Sequence, residues 1–380
     1  MSDERVVIVG GGVLGTMHAL EACHRGWDVV HLEAEAQPRR ASTRNFGLVW
    51  VSGRAAGPEL ELALRARVLW QQLSSTSPEI GFRSDGSLTI ANDDDELALM
   101  DDLANQPDAH LRKLEVVDPD GVKKLNPAIK GVTAGGLYCR RDAVIEPGSV
   151  LAALRHTMEE TGHYWWVPGR QVVDVIGDTG VGSPAAIDHL GGSYSASLVL
   201  LCMGDHYTGL GGRVGATLAA APLRRCRLQM METAPSTEPL ATAVADADTM
   251  RYYPAFDLPG RSALPPPRRE TTEHGMQLLM VQRASGGLTI GDTHDYDEPF
   301  DFAVEETLYE RLRERAEAIL GSRLPHIVRR WSGTYSVATD DRLYYRHWID
   351  HGICVVTGPA GRGMTLAPAI AEETWSEATA

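Results

Sequence analysis

Lysine is almost missing from this chain. Of its 36 basic residues only four are lysines, Lys113, Lys123, Lys124 and Lys130, all in one short stretch. Lysine chemistry elsewhere in the chain is thereby excluded. Cysteine is scarce as well: Cys23, Cys139, Cys202, Cys226 and Cys354 lie far apart, form no CxxC pair and are odd in number. That pattern excludes a disulfide framework or a cysteine zinc site, and no metal is expected. No run reaches the roughly 18 uninterrupted apolar residues of a membrane span. Positive charge is in deficit, with a formal net charge of -15. The surface as a whole therefore repels nucleic acid and anionic membranes, although a single cleft can still be basic. The opening residues, MSDERVVIVGGG, run straight into a strand and turn, and no cleavable signal is read there. The expected compartment is the cytoplasm.

What is present suits a globular chain. At 380 residues, with 43% hydrophobic and 23% charged residues, it can bury one large core or two moderate ones. Residues 5–9 (RVVIV) read as a buried strand, Val13 to about Arg25 as a helix stopped by Gly26, and 28–32 (DVVHL) as a second strand. Strand, glycine turn, helix and strand make a βαβ unit, the start of a parallel sheet. Helices are expected at 60–73, from the acidic run Asp93–Glu96, at 148–161 and at 303–319. Strands are expected at 86–91, 171–176 and 197–203. Between about 222 and 300 strand-rich segments (RLQMMET, MQLLMVQ, LTIGD) suggest an antiparallel sheet, interrupted by a Pro/Arg-rich surface loop at 260–273. The end, ICVVTGPAGRGMTLAPAIAEE, reads as strand, glycine turn and helix. No internal repeat appears.

The first motif is a GxGxxG between strand and helix, Gly10-Gly11-Gly12-Val13-Leu14-Gly15. Gly10 permits the turn, Gly12 lets a diphosphate approach the backbone and Gly15 lets the helix pack close to the sheet. The helix N-terminus then stabilises the phosphates. Glu33, followed by Ala34, ends the second strand, where a carboxylate bonds ribose hydroxyls and repels a 2′-phosphate. The motif alone does not separate FAD from NAD. A polar segment follows, Arg39-Arg40-Ala41-Ser42-Thr43-Arg44-Asn45, that can lie against a diphosphate and reach a flavin ring, or be a solvated loop. SLVLLCMG (197–204), with Cys202 and Gly204, has the shape of a strand returning to the cofactor. Gly358-Pro359-Ala360-Gly361-Arg362-Gly363-Met364-Thr365 supplies a second glycine turn and helix start. A flavin needs such a site where negative charge develops on reduction.

These segments together resemble the D-amino-acid oxidase superfamily, with glycine oxidase, sarcosine oxidase and D-amino-acid dehydrogenase, over nearly the whole chain. The resemblance implies a Rossmann-type FAD-binding domain (1–80, 145–221 and 325–380) interleaved with an antiparallel-sheet substrate domain (81–144 and 222–324). It implies α/β class with an α+β second domain, and FAD as cofactor. Carried over by position, Gly10, Gly12, Gly15 and Glu33 hold the ADP half, with Val13, Leu14 and Ala34 beside them. Arg40, Ser42, Thr43, Arg44 and Asn45 line the flavin side of the loop, Val172 supports the adenine, and Cys202 and Gly204 close the third strand. Gly358, Gly361, Arg362, Gly363, Met364 and Thr365 meet the pyrimidine edge of the flavin.

Within that superfamily RNFGLVWVSG (44–53), CRLQMMET (226–233), GDTHDY (291–296), RWSGTY (330–335) and GMTLAPAIAE (363–372) are similar to a subfamily associated with phosphonate catabolism. This implies oxidation of an aminoalkylphosphonate, 2-aminoethylphosphonate or its N-methyl derivative, to an imine and then to aldehyde plus amine. Two departures from the family bear on chemistry. Tyr335 stands where amino-acid oxidases have an arginine that clamps the substrate carboxylate, and a phenol does not replace a guanidinium. Gly333 stands where sarcosine oxidases carry flavin on a cysteine, so FAD is expected to be non-covalent. The family's lysine over the flavin has no counterpart, which leaves oxygen or another electron acceptor open; oxidase is the working expectation over dehydrogenase.

His294, Tyr335 and Arg44 are the candidate catalytic residues, and Arg54, Tyr253, Trp331 and Arg227 the candidates for holding substrate. A lone strand histidine is often structural, Trp331 suits core packing, and Arg54 equally suits a surface salt bridge. The rival readings are a D-amino-acid or sarcosine/glycine-type oxidase or dehydrogenase, a non-catalytic nucleotide-binding flavoprotein, and a flavin enzyme of natural-product tailoring.

Overall fold

The structure is a computed structural model that describes residues 4–177, 183–206, 209–301 and 303–379. The strand Arg5–Val9 shows why the chain starts as it does. Its side chains alternate between faces, and both faces are covered. Val6 and Ile8 pack with the helices Val13–His24, Pro58–Thr76 and Gly363–Ala378. Val7 and Val9 pack on the opposite side with Val172, Val175, Val214 and Leu218.

Among the described residues six strands form this sheet, in the order Tyr345–Asp350, Ile353–Thr357, Leu198–Leu201, Arg5–Val9, Asp28–Glu33, Tyr164–Pro168. All pairings are parallel except that of the edge strand Tyr345–Asp350. Arg5–Val9 sits between the returning strand Leu198–Leu201 and Asp28–Glu33, so the strand order reverses around it. The carboxyl ends of such strands open a crevice for a ligand. The first helix is buried along most of its surface, and Trp27 meets Trp375 edge-to-face at 4.9 Å between ring centres.

The second sheet runs Ile327–Ala338, Leu223–Thr233, Leu288–Gly291, Leu279–Gln282, Ala243–Ala245, Ser87–Ala91, Gly135–Cys139, Leu114–Val117. One face carries Leu88, Ile90, Met231 and Ile290 against the helix Glu306–Leu320; the other packs on Phe46, Leu48 and Trp50.

Three sequence expectations change here. The second sheet is mixed, because Ala243–Ala245 pairs parallel with Ser87–Ala91. Residues 325–338, read from the sequence with the cofactor domain, instead supply a strand that pairs along its length with Leu223–Thr233. The stretch 260–273 holds a 3-10 turn at Pro259–Ala263 and a short helix at Arg269–His274, with Leu264 buried. Arg251 bonds the Pro265 carbonyl and Arg261 the Arg251 carbonyl, which ties that stretch down. Among the described residues no helix is long and apolar enough to cross a membrane.

Candidate active site

Both sheets line one cavity of about 590 Å³, a size ordinary for a small-molecule or cofactor site. At one end lies the glycine turn. Gly10 has φ +107°, and a Cβ there would stand 2.4 Å from the Cys202 carbonyl oxygen. A Cβ on Gly15 would stand 1.8 Å from the Gly10 carbonyl oxygen, so backbone blocks any side chain there. Ser42 Oγ accepts from the Val13 N–H at 2.9 Å, docking the 3-10 turn Ala41–Thr43 on the helix start. Glu33 accepts from the N–H groups of Gly11 (2.7 Å) and Glu35 (2.9 Å), which fixes its carboxylate at the cavity wall. Beneath the turn, buried His31 contacts the Gly10 carbonyl through Nε2 at 3.0 Å and the Tyr164 hydroxyl through Nδ1 at 2.9 Å. Burial lowers the pKa of His31 to about 4, and that of His18 in the first helix to about 4 as well.

The second helix start faces the same space. The helix Gly363–Ala378 begins without a side-chain cap or an acidic residue in its first turn, leaving its N–H groups and positive dipole end free for an anion. Thr365 accepts from the Trp50 N–H at 3.0 Å and donates to the Leu48 carbonyl at 3.1 Å, joining that turn to the segment after Asn45. Asn45 donates to the carbonyls of Ala41 and Ser42 and accepts from the Gly47 N–H. Two helix starts without an acidic residue in their first turns, and a glycine cradle closed to side chains, fit a dinucleotide between them.

Of the residues expected at a cofactor, Gly10, Gly12, Val13, Leu14, Glu33, Ala34, Arg40, Ser42, Arg44, Asn45, Val172, Cys202, Gly204, Gly361, Arg362, Gly363, Met364 and Thr365 line the cavity. Gly15, Thr43 and Gly358 do not. Gly15 and Gly358 (φ +69°) shape the turns, and Thr43 donates to the Arg40 carbonyl.

At the other end the cavity meets the second sheet. His294, Tyr335, Arg44, Arg54 and Tyr253 line it; Trp331 and Arg227 do not. Arg227 bonds the carbonyls of Asp301 and Ala303, because on its strand Leu228 and Met230 take the cavity face. Trp331 packs against the core and donates to the Arg44 carbonyl at 3.2 Å. Arg54 is not in a surface salt bridge. It is 4% exposed, donates to the Trp50 carbonyl at 2.9 Å and lies 3.6 Å from Glu59. Arg362 shares the same Glu59 oxygen at 2.7 Å. Two guanidinium groups thus meet one carboxylate. Burial lowers the Arg54 pKa and Glu59 opposes that; an arginine stays protonated through such a shift.

Residues outside the sequence expectation, Trp50, Gln277, Asp292 and Tyr296, also line this end, as does Tyr252. The signal for two of them lay in the motif GDTHDY. Past the strand Leu288–Gly291 the alternation continues, so Asp292 and Tyr296 share the face of His294, while Thr293 accepts from the Gln229 N–H on the other. Tyr252 lies over His294, ring centres 4.4 Å apart. Burial raises the phenols of Tyr252, Tyr253, Tyr296 and Tyr335, so they stand as neutral hydroxyls. No lysine lines the cavity among the described residues.

A family model described as "FAD dependent oxidoreductase" matches residues 5–375. Glycine oxidase from Geobacillus kaustophilus (strain HTA426) is 26% identical over 236 residues, 58% of this chain and 59% of that protein. The matches span 19%, 47% and 59% of the length of three curated relatives, less than two thirds of each. The crystal structure of glycine oxidase from Geobacillus kaustophilus superposes with a TM-score of 0.78 at 20% identity, covering 99% of this chain and 95% of that one. Glycine oxidase from Bacillus cereus ATCC 14579 does so with a TM-score of 0.80 at 18% identity, again covering 99% and 95%. At these identities the superpositions establish the fold.

Proposed function

This chain belongs to the family of FAD-dependent oxidoreductases, and from that premise we propose that it oxidises the C–N bond of a small amine bearing an acidic group. The observation that carries the reading is the buried Arg54, lining the cavity beside the C-terminal glycine turn and sharing Glu59 with Arg362. A buried charge needs a partner, and one carboxylate between two guanidiniums leaves capacity for another anion. Bound FAD would supply the hydride-accepting chemistry that oxidation of a carbon bearing an amine requires. The chain's own residues hold the reactants in place. Gly10, Gly12 and the first helix start would hold the diphosphate, Glu33 the ribose, and Gly361–Thr365 the pyrimidine edge. Arg54 and Arg362 anchor the acid, and the aromatic wall of Trp50, Tyr252 and Tyr253 excludes water. His294 and Tyr335 bound the space for the amine, and Arg44, exposed and donating to the Ser332 carbonyl, lines the same cavity. Water then hydrolyses the imine to aldehyde and amine.

The specific substrate we propose is an aminoalkylphosphonate, 2-aminoethylphosphonate or its N-methyl derivative. A phosphonate dianion calls for two or more charge-assisted donors, and two guanidiniums are available. A glycine- or sarcosine-type acid is the second reading. It is favoured because Glu59 cancels one of the two charges, leaving one for one carboxylate, and this removes the objection based on Tyr335. FAD is held non-covalently, since Gly333 offers no nucleophile, and oxygen is the acceptor to test first. The test is anaerobic bleaching of the flavin's visible absorption by 2-aminoethylphosphonate, its N-methyl form, sarcosine, glycine and D-alanine. Bleaching by the aminophosphonates alone supports the first reading, bleaching by the carboxylates alone supports the second, and bleaching by none rejects both.

A further inference from the structure

Six acidic side chains are buried among the described residues, Glu59, Asp142, Asp188, Asp205, Asp246 and Asp292. Five are well partnered. Asp142 accepts from two backbone N–H groups and two serines; Asp188 from two N–H groups and Tyr194; Asp246 from Arg315 and the Leu278 N–H. Glu59 holds two arginines and Asp205 holds Thr334 at 2.5 Å. Asp292 is the exception. Its side-chain neighbours are Gln277 Nε2, 3.5 Å from Oδ1, and His294 Nε2, 3.9 Å from Oδ2 and beyond hydrogen-bond reach. Its backbone is clamped to that of Gln277 by two hydrogen bonds (2.9 and 3.1 Å), so the carboxylate is held on the cavity wall. Beside it, Gln277 Oε1 is buried with no hydrogen-bond partner among the described residues.

Resting on the amine-oxidation reading above, we infer that Asp292, with the Gln277 carbonyl, is the subsite that receives the substrate's ammonium group and takes its proton. A buried carboxylate without a close cation is costly alone and becomes favourable when a cation arrives. The cavity is then dipolar. At the second-sheet end donors lie on Arg54 and Arg362, and acceptors on Asp292 and Gln277 Oε1. Tyr253 lies between them: Arg54 is 5.9 Å from its ring centre, and its phenol feels both Arg54 and Asp292.

Hydride loss needs a free amine. One N–H bond of the bound ammonium breaks, the electron pair stays on nitrogen, and the proton passes to a carboxylate oxygen of Asp292. The products are a neutral amine and a carboxylic acid, with no oxidant involved in this step. His294 can carry the proton on. Its Nδ1 lies 3.0 Å from the Gly275 carbonyl, which can only accept, so Nδ1 holds the hydrogen and Nε2 presents its lone pair toward Asp292. Burial raises the Asp292 pKa, which brings it closer to that of an amine. The groups facing it do not compete. Tyr252, Tyr253, Tyr296 and Tyr335 are pushed up by burial and Cys226 is raised to about 12.

The test uses the full FAD-loaded chain and matched ligand pairs, 2-aminoethylphosphonate against 2-hydroxyethylphosphonate and glycine against glycolate, titrated anaerobically by their effect on the flavin spectrum. The wild type is expected to bind the ammonium member of at least one pair roughly 10- to 100-fold more tightly. Asp292→Asn should bring that ratio to about one at unchanged FAD content, and Gln277→Leu should lower it by less. For an amine that reduces the flavin, the reduction rate of Asp292→Asn should climb with pH toward the amine's own pKa, while the wild type levels off earlier. A merely structural role would lower the rate equally at every pH. Equal ratios in wild type and Asp292→Asn overturn the cation site, as does failure of both pairs to perturb the wild-type flavin. A preference lost in Asp292→Asn, without flavin reduction by any amine, upholds the cation site and rejects the oxidation reading.

Discussion

The two ends of the cavity are built from different material. At the glycine end backbone makes the surface: N–H groups of a helix start, a carbonyl under Gly10, and positions where a Cβ would meet main chain. At the far end side chains make it, from the segment after Asn45, the turn at Gly361, residues 252–254, three strands of the second sheet and the segment that follows Leu288–Gly291. A diphosphate is the same in every molecule that carries one, and local backbone binds it. A substrate is particular, and its recognition needs charges brought together from distant segments. The first end tolerates almost no change of shape; the second is where chemistry can vary.

The contrast breaks first at the glycines. Gly15→Ala should leave the protein without retained FAD, since its Cβ would lie 1.8 Å from the Gly10 carbonyl oxygen and the first turn has to move. Gly333→Ala, on the far-end strand, should keep FAD, because its Cβ meets nothing nearer than Leu228 Cδ1 at 3.7 Å. The ratio of flavin to protein after gel filtration reads both. Equal retention would end the distinction.

Acid should also act on the glycine end. His18 and His31 titrate near 4 in the fold against 6.5 unfolded. A depressed histidine favours the fold above its unfolded pKa, and that advantage is lost as pH falls from 6.5 toward 4. The loss is on the order of 3 kcal/mol per histidine at full protonation. FAD release, followed by its fluorescence, should therefore rise across that window. His31→Gln should shift the release to lower pH.

Arg54→Met should act on the other end alone. Flavin stays bound, while the concentration of amine giving half-maximal flavin reduction rises roughly 10- to 100-fold for an acid-bearing substrate. Arg54→Lys should not restore it, because one ammonium does not replace the fork that meets Trp50, Thr365 and Glu59. The smallest effect is expected at Arg227. Its guanidinium serves the carbonyls of Asp301 and Ala303, so Arg227→Met should leave the rate of flavin reduction within about twofold and cost roughly 1–3 kcal/mol in thermal stability.

How far the sequence could be read follows the same division. The strand Arg5–Val9, the helix Val13–His24 and the strand Asp28–Glu33 matched the sequence pattern within a residue or so, because each is set by neighbours along the chain. The far end was read in part. His294 and Arg54 line the cavity, but Arg227, expected there from the sequence, does not, because Leu228 and Met230 take the cavity face of its strand. Asp292 passed unnoticed beside His294, although the alternation that places one places the other. The strand Ile327–Ala338 went to the wrong sheet because its partner lies about a hundred residues away.

The sequence by itself determined the glycine turn, since such a turn between a buried strand and a helix has few other conformations and exposes N–H groups wherever it forms. Only the tertiary structure decided that Arg54 is buried and shares Glu59 with Arg362. The same holds for Asp292, left without a cation, and for Trp331 and Arg227, turned away. Those outcomes depend on strand register and on which faces of two sheets meet, and a shift of one residue in register would have exchanged the side chains that the shifted strand turns to the cavity.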